Sequence, residues 1–362
     1  MSNALQRLDR SIPDAQTTAV SLGCSVEAVE LARALELIDL HIDTFIPPRL
    51  WGYDIFTRHR RALGGRHFFG HLDLPRMQEG GLSGAMWSIT TNPFRPARNR
   101  WRVFEKNLAR LRELIYRSRE QLAEVRTLSE YREARAAGAH ACLLSIQGGN
   151  ALESAPDGIA SIPDDVITRV TLIHLTSSCY GGSSTPVQGA LSTKGLTTAG
   201  HALVEQLNAA RVFVDLAHIN EQAFWDVVKI HDTTQPLLAT HTGVDGVRQH
   251  WRNLTDDQIK AVAETGGVVG IIFSTAFLAR PGGPDDGRMI VEHMQHVIDV
   301  AGEDFVAVGS DYDGAISPPR DLWGGECYPR LVQHMLDRGW SEVRIEKVLG
   351  GNFLRAFGMI RP

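Results

Sequence analysis

Short apolar runs, each ending in polar or small residues, recur along the chain: LELIDLHID (35–43), LSGAMWSI (82–89), ACLLSIQ (141–147), RVTLIHLT (169–176), RVFVDLAH (211–218), PLLATHT (236–242), GGVVGIIF (266–273) and FVAVGSD (305–311). Each is rich in Val, Ile and Leu without strict alternation, the pattern of strands buried on both faces. Helical patterns separate several of them. NLARLRELIYRSREQLAEV (107–125) sets apolar residues at helical spacing with charges opposite. GLTTAGHALVEQLNAA (195–210) opens on a Thr cap, and LTDDQIKAVAETG (254–266) opens on a Thr cap with an acidic first turn and closes on Gly.

Eight buried strands alternating with helices predict a closed α/β architecture, the (β/α)8 TIM barrel, with a doubly wound open sheet as the rival. The position of the polar residues separates the two. His41 and Asp43, Gln147, His174, His218, His241 and Asp311 all sit at the C-terminal ends of their runs. A barrel gathers those ends around one mouth, whereas an open sheet spreads them along an edge too long for one site. Residues 1–34 read as an N-terminal helical extension on a single barrel domain, 35–362. The chain ends in LVQHMLDRGWSEVRIEKVLGGNFLRAFGMI, expected to be C-terminal helices split by Gly350-Gly351. The basic stretch RPARNRWRVFEKNLARLR (95–112) admits an anion-binding reading, but is expected to be a solvated helix face whose cationic stems cover the barrel.

Composition narrows the class further. The 362 residues are 43% apolar and 22% charged with a net charge of -5, which leaves no footprint for nucleic acid or an anionic membrane. No apolar run is long enough to span a bilayer, and MSNALQRLDRSIPDAQTTAV lacks the apolar core of a secretory signal. Cys24, Cys142, Cys179 and Cys327 are far apart with no CxxC pair, as expected of unpaired thiols in a reducing cytoplasm.

The candidate chemistry lies at the run ends. His41 and Asp43 project from one face of the first strand, and a histidine with a carboxylate suits a divalent ion such as Zn²⁺. His218 and His241 end the fifth and sixth runs. A lone histidine there is usually a hydrogen-bonded structural residue, but four such groups at strand ends of one barrel point to a metal centre. Asp311, at the end of the eighth run, is placed to take a proton from the attacking water and hand it on; the alternative is a turn-capping carboxylate within GSDYDG. His174 is expected to orient a substrate oxygen, against a core histidine. There is no GxSxG elbow, no P-loop and no dinucleotide fingerprint, and Cys179 in SSCYGG has no base beside it.

From about residue 35 onward the chain resembles the membrane (renal) dipeptidases of the metal-dependent amidohydrolase superfamily. The resemblance rests on LIDLHID, HLDLPRMQEGGLSGAMWS, GLTTAGHALVEQLNAARVFVDLAHIN, THTGVDGVRQHWRNLTDDQIKAVAETGGVVGIIF, VGSDYDG and GGNFLRAF, in that order. It implies a (β/α)8 barrel holding two zinc ions that hydrolyse dipeptides, often tolerating a D-residue on the carboxyl side. By motif, His41 and Asp43 are implied as ligands of one metal and His218 and His241 of the other. His174 is implied as the histidine contacting substrate, Arg252 as the binder of the substrate carboxylate, and Asp311 as the acid/base.

Gln147 departs from this pattern, because the family carries a metal-bridging glutamate in an I-E-G-G stretch. A glutamine has one acceptor oxygen, and its NH2 cannot ligate. Two dications about 3.5 Å apart repel by about 19 kcal/mol at an effective dielectric near 20. With one anionic bridge gone, one tightly bound zinc and a weak or absent second are expected. The loop TFIPPRLWGYDIFTRHRRALGGRHFF (44–69) is bulky and aromatic, and either lines the mouth for a larger substrate or forms its outer shell. The expected function is zinc-dependent hydrolysis of a dipeptide or dipeptide-like amide, with a small-molecule substrate as partner and a homodimer as an allowed assembly. The rivals are an amidohydrolase acting on an N-acyl amino acid, a lactam or a biosynthetic peptide intermediate, and a catalytically impaired binding scaffold.

Overall fold

A computed structural model describes residues 12–59, 67–186 and 195–362. Its strands are β1 (Leu37–Ile42), β2 (Leu82–Thr90), β3 (Leu122–Glu124), β4 (His140–Gln147), β5 (Ile167–Thr171), β6 (Phe213–Asp215), β7 (Leu238–Thr242), β8 (Val268–Ile271) and β9 (Val306–Val308). All pairings are parallel, and the run β2-β1-β9-β8-β7-β6-β5-β4 is closed by pairing of β2 with β4. Eight strands therefore form the barrel, and β3 hangs outside it on the first residues of β4, with Leu122 opposite His140. This is the (β/α)8 barrel that the eight apolar runs predict, with helices over its outside.

Along β4 the alternate residues Ala141, Leu143, Ser145 and Gln147 share a face, and they change from apolar to polar toward the C-terminal end. One apolar cluster draws Ile38, Met86, Leu143, Phe213, Leu238, Val268 and Ala307 from seven strands and packs them on Phe353 and Phe357 of the last helix, Asn352–Ile360. The lower barrel is thus filled and plugged, and the polar side chains are left to the upper end.

Several boundaries differ from those expected. The long helix runs Ala97–Arg117, starting and stopping earlier than the 107–125 pattern, because Leu122 is buried as part of β3 instead. The helices over 198–209 and 256–264 form as expected, capped by Thr197 and Thr255, the latter with a full capping box. Gly350 and Gly351 do not split the C-terminal helices. They lie in a π turn within a continuous helical stretch from 342 to 360, and a Cβ on Gly350 would meet the Glu36 carbonyl oxygen at 2.2 Å. The break falls instead at Gly339, whose φ of 81° is left-handed. At the other end, helix Val26–Ala34 packs beside helix Tyr328–Asp337, tied by Ser25 N donating to Gln333 Oε1 at 2.7 Å, and helix Ala15–Leu22 packs on Val26–Ala34. Among the described residues no helix is long and apolar enough to cross a membrane.

Candidate metal centre and active site

Most strands are shorter than their apolar runs, so several polar residues lie just past strand ends. His174 follows β5, His218 follows β6 and Asp311 follows β9. His218 and Asp311 adopt left-handed φ of 66° and 62°. For residues with a Cβ this costs on the order of 1–3 kcal/mol each, so both positions are strained. Gly314 makes room beside Asp311, since a Cβ there would lie 2.1 Å from Asp311 Oδ1.

The barrel mouth brings the expected residues together. The rings of His41 and His241 stack with centroids 3.9 Å apart, and His241 Nε2 lies 2.9 Å from His218 Nε2. Gln147 Nε2 is 3.5 Å from both of those nitrogens. His41 Nε2 is buried with no hydrogen-bond partner, 3.5 Å from Asp311 Oδ1 and 3.8 Å from Asp43 Oδ2. The potential ligand atoms of His41, His241 and Asp311 all lie within 4.8 Å of one another, a set that mixes both halves of the expected pair of sites. The His174 ring meets His218 edge-on at 4.8 Å. Arg252 is buried and donates from Nη2 to the His241 carbonyl at 2.8 Å. A cleft of about 220 Å3, lined by His218, Asn220, His250 and Arg252 among others, opens on that side.

The electrostatics suit cation binding. Burial holds His41, His218 and His241 below the usual imidazole range, so their rings are neutral and offer lone pairs. Burial brings His174 down to about 4. Burial, reinforced by the nearby Asp43 carboxylate, pushes Asp311 well above the ordinary carboxylate range, opposed by Arg252. Burial lowers Arg252 to about 10 against the attraction of Asp311 and Asp215. Cys179 is pushed up by burial to about 11 and stays a thiol.

Under this rim lies a polar layer that the strand-end pattern does not reveal. Asp215, fully buried on β6, accepts from Thr171 Oγ1 at 2.5 Å, Thr240 Oγ1 at 2.8 Å, Thr240 N at 2.9 Å, Ala217 N at 3.1 Å and Arg169 Nη1 at 3.3 Å. Thr240 Oγ1 is also 2.9 Å from His241 Nδ1, and Arg169 Nη2 is 2.9 Å from His41 Nδ1. A carboxylate under two histidine-bearing strands thus fixes both rings from behind. Asp39 accepts from His41 N at 3.1 Å and Ser310 N at 2.8 Å, joining β1 to the loop after β9. The only signal in the sequence was an ionisable residue within an apolar run, Asp39 and Asp215, or at its first position, Arg169. Thr90, at the end of β2, was likewise missed; its hydroxyl donates to Asp43 and lies 3.1 Å from Gln147 Oε1.

A closed parallel barrel with buried histidines and carboxylates at its C-terminal mouth places this chain among barrels with a candidate metal centre. More closely, the sequence profile of the membrane dipeptidases, peptidase family M19, matches residues 26–361, and the chain belongs to that family. The match takes in helix Val26–Ala34 as well as the barrel. An uncharacterized Klebsiella pneumoniae protein from the pqqA 5' region is 42% identical over 164 residues, 44% of this chain and 59% of its own length. Human dipeptidase 3 is 25% identical over 95% of this chain and 69% of its own. The crystal structure of a Rhodobacter sphaeroides metallopeptidase, liganded with a phosphinate mimic of the dipeptide L-Ala-D-Ala, superposes with a TM-score of 0.79 at 26% identity, covering 90% of this chain and 99% of that one.

Proposed function

We propose that the protein is a zinc-dependent hydrolase of a dipeptide or dipeptide-like amide, with one tightly held ion. The observation that carries this is the convergence of His41, His218 and His241 with Asp43 and Asp311 at one mouth. The ligand of the Rhodobacter relative, a dipeptide mimic, supports the substrate class.

The residues present fit a cation: His41 Nε2 is a buried polar atom with no partner, and two neutral histidines face each other nitrogen to nitrogen. His241 would anchor the ion, since it contacts both His41 and His218, with Asp43 supplying charge. When bound, a divalent ion supplies Lewis acidity, polarising the scissile carbonyl and making water a stronger acid. Gln147 contributes at most one oxygen. Thr90 has a single hydroxyl hydrogen, given to the Asp43 carboxylate, so a 180° turn of the Gln147 amide, from Oε1 facing Thr90 to NH2 facing it, would let Thr90 Oγ1 accept from that NH2. That orientation turns Oε1 toward the histidine pair.

The chain's other groups divide the remaining work. Asp311, whose buried carboxylate has a raised affinity for a proton, takes one from the attacking water and passes it to the leaving amine. His174, neutral and beside His218, donates a hydrogen bond to the developing oxyanion. Arg252 keeps its charge in the buried wall and pairs with the substrate's terminal carboxylate.

Asp311→Asn is expected to lower kcat by about 10²-fold or more while zinc content stays as in the parent. Unchanged turnover would sink the assignment. A panel of L,L- and L,D-dipeptides, assayed with zinc-loaded protein, separates this reading from its rivals. Cleavage of none of them would favour a non-dipeptide amide or an impaired scaffold.

A further inference from the structure

A second pocket, of about 370 Å3, lies between the first βα segment and helix Ala97–Arg117, and the chemistry above does not use it. Its wall is cationic. Arg49 comes from the short helix Ile46–Trp51, Arg95 from the loop after β2, and Arg100, Lys106 and Arg110 from the long helix. Lys106 and Arg110 stand four residues apart, so they share one helix face. The basic stretch expected to be a plain solvated face is therefore divided, with part of it lining a concavity.

Arg100 is committed to an ion pair with Glu153. Arg49, Arg95, Lys106 and Arg110 have no carboxylate within 4.0 Å among the described residues. Like charges around one concavity repel unless an anion sits among them. Arg49 bears this directly: its Nε is buried without a partner. Burial disfavours its charge, Asp43 favours it, and Arg95 and Arg110 disfavour it further.

Thr90 joins this pocket to the candidate metal centre. Arg49 Nη1 donates to the Thr90 carbonyl at 3.3 Å, and the Thr90 hydroxyl donates to Asp43. In the ring of eight strands, β2 and β7 are four places apart in both directions, so they face each other across the barrel. Arg252 follows β7 and the cationic pocket follows β2. The two anion-seeking sites stand on opposite walls, with the histidines and carboxylates between them.

We propose that the pocket binds an anionic group on the acyl side of the scissile amide, so that the substrate carries negative charge at both ends. The proposal rests on the dipeptidase-type reading for the place of the scissile bond. It narrows the substrate class to dipeptides, or dipeptide-like amides, whose N-terminal residue bears a side-chain carboxylate.

The test compares L-Glu-L-Ala with the near-isosteric L-Gln-L-Ala on zinc-loaded protein. The ratio of kcat/KM is expected to favour the acidic substrate by roughly tenfold or more, mainly through KM. In Arg95→Ala/Arg110→Ala the ratio should collapse toward one, and in Arg110→Glu it should fall below one. If both dipeptides are cleaved with equal efficiency, or the ratio survives the double variant, the pocket has no such role although the dipeptidase reading stands. If neither is cleaved, nor any other member of the L,L- and L,D-panel, that reading fails, and the pocket is judged by calorimetry with glutarate. Binding that weakens roughly tenfold in the double variant, or in Lys106→Gln should the double variant not fold, upholds the anion site; no binding by the parent protein overturns it.

Discussion

Gln147 has one acceptor oxygen at the position where the resemblance leads one to expect a bridging carboxylate, and it stands among the candidate ligands of the mouth. It stands 3.5 Å from the ring nitrogens of His218 and His241 and shares Thr90 with Asp43. The missing charge, more than the changed shape, should limit metal occupancy, because the mutual repulsion of two dications is large at any realistic dielectric. Zinc-loaded parent protein is therefore expected to keep about one equivalent through gel filtration, and Gln147→Glu to move toward two with a higher kcat, both read by mass spectrometry of metal content and by turnover. Two equivalents retained by the parent would refute the single-ion reading. At this scale the sequence was informative about rim residues and silent about what holds them. His41, Asp43, His174, His218, His241, Arg252 and Asp311 could be picked out because each ends an apolar run or lies in a family motif. Asp215 lies inside its run and Arg169 opens its own, and their role depends on Thr171, Thr240 and Ser145, hydroxyl residues that carry no signal until the barrel closes.

At the scale of elements, the runs located every barrel strand but overestimated most of their lengths. An apolar run continues past the last paired residue wherever the chain turns inward, as the left-handed His218 and Asp311 do. Strand β3 escaped notice because its three residues resemble the end of the preceding amphipathic pattern. One junction between elements is titratable and lies away from the mouth. His140, buried at the start of β4, accepts at Nε2 from Trp87 Nε1 at 3.1 Å and donates from Nδ1 to the Leu82 carbonyl at 3.1 Å, tying β4 to β2 as a neutral ring. Burial brings it down to about 4, against an ordinary value of 6.5. The unfolded chain then binds the proton more readily than the folded one. Stability from this residue is complete above about pH 6.5 and is lost as pH falls toward 4, on the order of 3 kcal/mol in all. His140→Asn is expected to flatten the decline of unfolding free energy between pH 6.5 and 4 in urea titrations; an unchanged slope would show that this ring stays neutral for no energetic reason.

Across the whole molecule, the polar mouth and the apolar base are separate layers. The base is closed by the last helix, where Phe353 and Phe357 stack on each other with centroids 5.5 Å apart and reach Phe213. Phe357→Ala should cost about 3–5 kcal/mol of stability, measured by denaturant unfolding, while zinc content and substrate selectivity stay those of the parent. A fall in zinc content alongside the stability loss would mean that the two layers are coupled. The barrel class was legible because eight separate segments ended alike; the plug was not, since GGNFLRAF reads as a glycine-broken helix until Glu36 is found packed against Gly350.

The outlying strand β3 has a consequence for how such a protein can diversify. Residues 91–139 leave the barrel after β2 and return at β4, and those two strands pair directly without them. That excursion holds the helix with the cationic face, while the histidines and carboxylates of the mouth all lie outside it. A change confined to the excursion would therefore alter most of the cationic wall, and with it the proposed charge preference for the acyl group, while leaving the candidate ligands of the mouth in place.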